Sequence, residues 1–261
     1  MNRRPALVAL DVDGTVLNFD GTLSPAVRAA VRRTRERGVQ IVIATGRSMH
    51  ATLPVCAALD IDSGLAVCSN GAVVADVAAR VPIDVATFDA TESVRYFAEH
   101  VPDALLAVEE LGVGYRVTGE FPPGELDGEI TVVGHDELLD GPVTRLVARQ
   151  PNGDPEEFFK LARAAGLRGV DYAIGYTAWL DFMPEGVSKA SGLTTVCNKL
   201  GVRQADVLAV GDGHNDLEML AWAGHGVAMG QAPDDVKAVA DEVGGSVLDD
   251  GLAELLDRYV G

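Results

Sequence analysis

The run Ala6-Leu7-Val8-Ala9-Leu10 is short, unbroken and apolar, and it stops abruptly at Asp11. A run of that kind, without alternation, reads as a strand covered on both faces, which is the habit of parallel sheets flanked by helices. The pattern recurs. Ser24-Pro25 marks a helix start, a capping hydroxyl with proline at the first helical position, and the helix is predicted to run to Arg37 and stop at Gly38. Residues 39–44 and 65–68 read as two more buried strands, with a helix opening near Ser48 between them. Ser69-Asn70-Gly71 then turns the chain into Ala72-Val73-Val74. Strand, helix, strand, helix, strand predicts an α/β fold with a Rossmann-like parallel sheet core. The rhythm resumes late in the chain: helix 188–200 closed by Gly201, strand 205–210, helix 215–223, strand 226–229 and helices 233–240 and 252–259.

The middle differs. Helix 91–100 is followed by strands 104–110 and 114–117, then a Pro/Gly-rich stretch, with 119–141 expected as an extended loop. Strand 143–149, helix 155–165 and strands 170–175 and 179–183 complete it. This α+β order predicts an inserted domain over residues 81–182, with residues 1–80 and 183–261 forming the core.

Polar residues gather where the predicted core strands end, and in open α/β sheets ligands bind at the carboxyl ends of strands. Asp11-Val12-Asp13-Gly14-Thr15 follows the first strand. A calcium loop would need another acidic or amide ligand where Thr15 stands, so the alternatives are a polar capping loop or a catalytic pair. Thr45-Gly46-Arg47 ends the second strand and offers a hydroxyl and a backbone amide for an oxyanion, or a helix cap. Gly211-Asp212-Gly213-His214-Asn215-Asp216 ends a third. Carboxylates converging from separate strand ends repel one another unless a hard cation holds them, and magnesium suits oxygen ligands. Lys189 opens a predicted helix, where a cation opposes the helix dipole. It is either a solvated surface residue or a charge that a site requires.

Composition narrows the partners. With 39 acidic against 21 basic residues the formal net charge is -18, which repels nucleic acid and anionic membranes, and any phosphate site needs a local cation. The three cysteines lack zinc spacing and form no CxxC pair, which points to reduced thiols and a cytoplasmic protein. No stretch reaches membrane-span length. There is no GxxxxGK[ST] loop, no GxSxG elbow and no full dinucleotide fingerprint.

Taken in order, Asp11 to Thr15, Thr45-Gly46-Arg47, Lys189 and Gly211 to Asp216 resemble the haloacid dehalogenase-like hydrolase superfamily, and more narrowly the Cof-type sugar-phosphate phosphatases. Ser69-Asn70-Gly71-Ala72 and Pro184-Glu185-Gly186-Val187-Ser188-Lys189 add to the likeness. The resemblance implies a phosphatase of small phosphorylated metabolites, with Asp11 as covalent nucleophile and Asp13 as general acid and base. It implies Mg2+ on Asp11, the Asp13 backbone carbonyl, Asp212 and Asp216. Thr45, Lys189 and Asn215 would hold the phosphoryl oxygens, and Arg47 and Asn70, near the rim, would meet the substrate. Only 31 residues separate Asp13 from Thr45, so the long insertion falls before Lys189, as in members with an α/β cap of the second type. A phosphomutase of the same superfamily and a phospho-accepting signalling domain are the competing readings.

Overall fold

In a computed structural model of the chain, which describes residues 4–164, 170–174 and 178–260, the first apolar run forms strand β1 (Leu7–Leu10), buried along its whole length. Helix α1 (Pro25–Glu36) starts as the sequence predicts. The Ser24 hydroxyl accepts from the Ala26 N–H, Pro25 sits in the first turn, and Val27, Ala30, Val31 and Thr34 turn inward. Strand β2 (Gln40–Ile43), helix α2 (Met49–Ala58) and strands β3 (Leu65–Cys68), β4 (Val73–Asp76) and β5 (Val81–Val85) follow.

The middle segment contains α3 (Thr91–His100), β6 (Leu105–Glu110), β7 (Gly114–Val117), β8 (Glu129–Val132), β9 (Leu146–Arg149), α4 (Pro155–Ala164), β10 (Val170–Ile174) and β11 (Trp179–Pro184). The chain closes with α5 (Lys189–Leu200), β12 (Val207–Gly211), α6 (Leu217–Trp222), β13 (His225–Ala228), α7 (Asp234–Val239), β14 (Glu242–Val243) and α8 (Gly251–Val260).

The expected α/β core is present as a parallel sheet in the order β14-β13-β12-β1-β2. Leu10 pairs with Val210 on one side and with Ile43 on the other. That register alone brings the loop after β1 between the loops after β12 and β2. The chain leaves β1 toward opposite edges of the sheet in its two halves, which opens a crevice at the carboxyl ends.

Several expectations are corrected. The third strand does not simply extend the parallel sheet: β3 meets β2 through a single parallel bridge, Ala44 to Val67, and pairs antiparallel with β4. The cause is the Ser69-Asn70-Gly71 turn, whose three consecutive positive φ values (49°, 52° and 103°) fold the chain straight back. β5 pairs with β4, so the sheet attached to the core runs to Val85, past residue 80. Residues 119–141 are not all loop, because β8 lies within them, parallel to β7. The strand expected over 143–149 begins only at Leu146, and the one expected over 205–210 begins at Val207, after a 3-10 turn at Gln204–Asp206. Residues 165 and 175, the expected ends of a helix and a strand, lie outside the described residues.

The middle segment forms its own sheet, in the order β10-β11-β9-β6-β7-β8, antiparallel except between β7 and β8. Alternation sorts its two faces. Leu106, Leu146, Leu180 and Phe182 pack with Phe97 and Phe158 of the two helices. Ala107, Tyr115, Val117 and Val147 belong to a second, smaller cluster with Phe121 and Trp179.

One glycine joins the core to the α5 start. Gly71 has φ +103°, and a Cβ there would lie 2.0 Å from the Ser188 carbonyl oxygen. Gly71→Ala is expected to lower unfolding free energy by about 2–4 kcal/mol, since strain and a backbone clash act together. Urea unfolding checks this, and a loss below about 0.5 kcal/mol, the range of neutral surface changes, would show that the contact yields freely.

Candidate active site

Two loops deliver three carboxylates to one point. Asp11 follows β1 directly, and its N–H donates to the Val210 carbonyl (3.0 Å). Asp212 and Asp216 come from the loop after β12. One ligand oxygen from each of Asp11, Asp212 and Asp216 lies within 4.8 Å of the others, and all three residues are buried. Beneath them, Lys189 at the first turn of α5 donates through Nζ to Asp11 Oδ1 and to Asp216 Oδ1, both at 2.6 Å. Lys189 is 1% exposed, so the surface alternative is excluded. The second oxygen of Asp216 accepts the N–H groups of Asp212 and Gly213, each at 2.9 Å. Asp216 therefore shapes its own loop while it anchors the lysine.

Electrostatics follow from burial. Burial, then Asp216, pushes the Asp11 carboxyl well above the usual range, while Lys189 pulls it down. Burial opposes the Lys189 charge, but Asp11 and Asp216 outweigh it and hold the ammonium above the ordinary lysine range. Asp212 is pushed up to about 6, first by burial; the Gln231 amide lowers it and Asp216 raises it further.

The remaining predicted residues surround this cluster. Asp13 has a 61% exposed side chain and forms a two-point pair with Arg47, Nε to Oδ2 at 2.9 Å and Nη2 to Oδ1 at 2.6 Å. Thr45 is buried, and its hydroxyl accepts the Arg47 N–H (3.1 Å). Asn215 Nδ2 donates to Asn70 Oδ1 (3.0 Å), and Asn70 Nδ2 donates to Asp181 Oδ2 (3.4 Å). Asn70 is thus 2% exposed rather than at the rim, because both ends of its amide are engaged by neighbours. His214, to which the sequence gives no role, pairs with Asp235 (3.0 Å) at the surface.

A cavity of about 250 Å³ opens above Asp11, Asp13, Thr45 and Asp212. Its other wall comes from the second sheet and its edges, through Tyr115, Arg145, Trp179 and Asp181, and from the connection between β7 and β8, through Glu125 and Asp127. Arg145 donates to Asp181 Oδ1 (2.7 Å) and to the Tyr115 hydroxyl (3.0 Å). Sequence reasoning missed these residues. The usable signal was strand alternation: Trp179 and Asp181 alternate with Leu180 and Phe182, which point to the helices.

A sequence profile described as haloacid dehalogenase-like hydrolase matches residues 8–256. The chain belongs to that family. Among its relatives is the 5-amino-6-(5-phospho-D-ribitylamino)uracil phosphatase YcsE of Bacillus subtilis (strain 168), 27% identical over 97% of this chain and 95% of that protein. The pyridoxal phosphate phosphatase YbhA of Escherichia coli (strain K12) is 30% identical, over 97% of this chain and 98% of its own length. A solved structure of a HAD subclass IIB sugar phosphatase shares the fold, with TM-score 0.83, 22% identity and coverage of 97% of this chain and 98% of that one. The expected recognition as a haloacid dehalogenase-like, Cof-type phosphatase holds, and with it the assignment as an enzyme rather than a signalling domain. Among the described residues no helix is long and apolar enough to cross a membrane.

The site of this haloacid dehalogenase-like hydrolase fits a divalent cation. Asp11, Asp212 and Asp216 set three buried carboxylates against one ammonium, and such an excess of negative charge is costly in a buried cluster without a further cation. The donors are all oxygens, as magnesium prefers. The pH dependence has a definite sign. The folded Asp212 value of about 6 lies above its usual 3.8, so this group stabilises the fold at low pH and that contribution is lost as pH rises through about 6. Magnesium is therefore expected to raise Tm more at about pH 7.5 than at about pH 5, since it must displace the proton at the lower pH. Thermal unfolding with magnesium and with chelator at both pH values checks this; an equal gain at both would contradict it.

Proposed function

We propose that the chain is a magnesium-dependent phosphatase of a small phosphomonoester, working through an aspartyl-phosphate on Asp11. The observation that carries this reading is the buried Lys189 bridge, which fixes Asp11 at the floor of the cavity and whose ammonium opposes the upward push of burial and Asp216 on the Asp11 carboxyl. Asp11, the Asp13 backbone carbonyl, Asp212 and Asp216 would hold the cation. When bound, magnesium supplies charge neutralisation at the transferring phosphoryl group.

The chain's own residues divide the work. An Asp11 carboxylate oxygen attacks phosphorus as the bond to the ester oxygen breaks. Asp13 gives its proton to that departing oxygen, which leaves as the alcohol. Water then attacks the phosphorus of the acyl phosphate and passes a proton to Asp13, releasing phosphate and restoring the Asp11 carboxylate. Arg47 now holds Asp13 by two hydrogen bonds. The dianionic ester competes for that guanidinium, so substrate entry frees Asp13 for proton transfer. Thr45, Lys189 and Asn215 would steady the phosphoryl oxygens.

The inserted segment beyond Val85, through β11, would act as the cap over the single core that the flanking segments form. A lid of that kind keeps bulk water from the acyl phosphate and meets the leaving group. The relatives are named for a phosphoribitylaminouracil and for pyridoxal phosphate, which supports a small phosphorylated metabolite as substrate.

Phosphate release from an aryl phosphate tests the chemistry. Asp11→Asn is expected to lower kcat at least ~10³-fold, because the nucleophile is lost, and Asp13→Asn about 10²–10⁴-fold through loss of acid-base catalysis. Chelator should abolish the wild-type rate. Turnover unaffected by Asp11→Asn would sink the mechanism.

A further inference from the structure

Gln231 lies just beyond β13, outside every motif that the sequence brings forward. Its side-chain amide is fully engaged. Oε1 accepts the Val247 N–H (2.9 Å), while Nε2 donates to the Gly14 carbonyl (2.6 Å) and to Asp212 Oδ2 (3.2 Å). The Val247 bond decides which end of the amide is oxygen, because a backbone N–H needs an acceptor. Both hydrogens of the NH2 group are then directed at the site.

The two oxygens it holds come from different loops, which meet without any side chain between them. Gly14 has φ +80°, and a Cβ there would lie 2.2 Å from Asp212 Oδ2. The loop after β1 and the Asp212 carboxylate are therefore in direct contact, and one amide bridges both. Among the described residues no other hydrogen bond reaches the Asp212 carboxylate, so Oδ1 stays available. Val247 begins the 3-10 turn that leads into α8, which gives the bridge a fixed footing in the core.

We infer that Gln231 is a positioning residue that sets the separation between the Asp13-Gly14 backbone and the Asp212 carboxylate, and thereby the affinity of the site for a divalent cation. This rests on the magnesium reading of the preceding subsection. A carboxylate held on one oxygen by an outer amide presents the other in a single orientation, and such outer partners commonly contribute 10–100-fold to metal affinity. A strut that merely joined Val247 to the Gly14 loop would affect folding and leave the cation affinity alone.

The test is calorimetric titration of magnesium alone into substrate-free wild type, Gln231→Met and Gln231→Asn. Methionine keeps the bulk without the amide; asparagine keeps the amide but falls one methylene short. Both variants are expected to bind magnesium about tenfold or more weakly. Their kcat should fall at limiting magnesium and recover at saturation, with the substrate KM at saturating magnesium unchanged. Wild-type affinity in either folded variant would overturn the role of Gln231 and leave the proposed function standing. No binding by the wild type would overturn the magnesium reading itself, and this inference with it. Should neither variant fold, nitrogen-15 NMR of the wild type decides: the Gln231 side-chain amide protons should shift as magnesium is added, and unmoved signals would refute the proposal.

Discussion

Everything at the site hangs on one buried ammonium. Lys189 stands in the first turn of α5, where its charge opposes the helix dipole, and it is removed from water. Two carboxylates at 2.6 Å offset both penalties, and neither comes from its own helix: Asp11 follows β1, and Asp216 lies past β12. Removing one partner of such a buried pair commonly costs about 3–5 kcal/mol, so the lysine and the two acids stand or fall as a unit. The same contact orients Asp11 and, through the second oxygen of Asp216, closes the turn that presents Asp212. Structure and chemistry share the same atoms here.

The second sheet completes what the first begins. Ser69 and Asn70 reach from the core to Glu109 and Asp181 on one of its faces. Asn70 also takes a hydrogen bond from Asn215, so the polar chain from the phosphoryl floor to Arg145 and Tyr115 is continuous. The left-handed backbone of Ser69 and Asn70 is what aims both side chains across the gap. Burial works against the Arg145 charge, and Asp181 beside it more than offsets that, holding the guanidinium above its usual value.

The core was legible because parallel strands write themselves as unbroken apolar runs, and because the chemistry sits where those runs end. Leu10 followed by Asp11, and Val210 followed by Gly211-Asp212, announce both the sheet and its crevice. Lys189 was locally ambiguous: nothing near it in sequence says that Asp11, far away along the chain, is its partner. The wall from the second sheet was only half legible, for a related reason. Which face of β9 and β11 meets the cavity depends on where the sheet docks, and alternation names two faces without choosing one. β8 was there to read, since Glu129-Ile130-Thr131-Val132 alternates and is mostly β-branched, but it was absorbed into the Pro/Gly-rich stretch before it. The resemblance places Asn70 near the rim; here its turn is buried, and neighbours take the place of water.

The central claim is that Asp11, held by Lys189, carries the phosphoryl group. Acid quenching of the wild type within the first turnover, followed by borohydride reduction and peptide mass spectrometry, tests it most directly. The account requires that reduction convert Asp11, and no other carboxylate, into homoserine, and that Asp13→Asn accumulate more of that adduct from an aryl phosphate, whose leaving group departs without a proton. Full turnover with Asp11 unmodified, or modification at Asp212 or Asp216 instead, would contradict it.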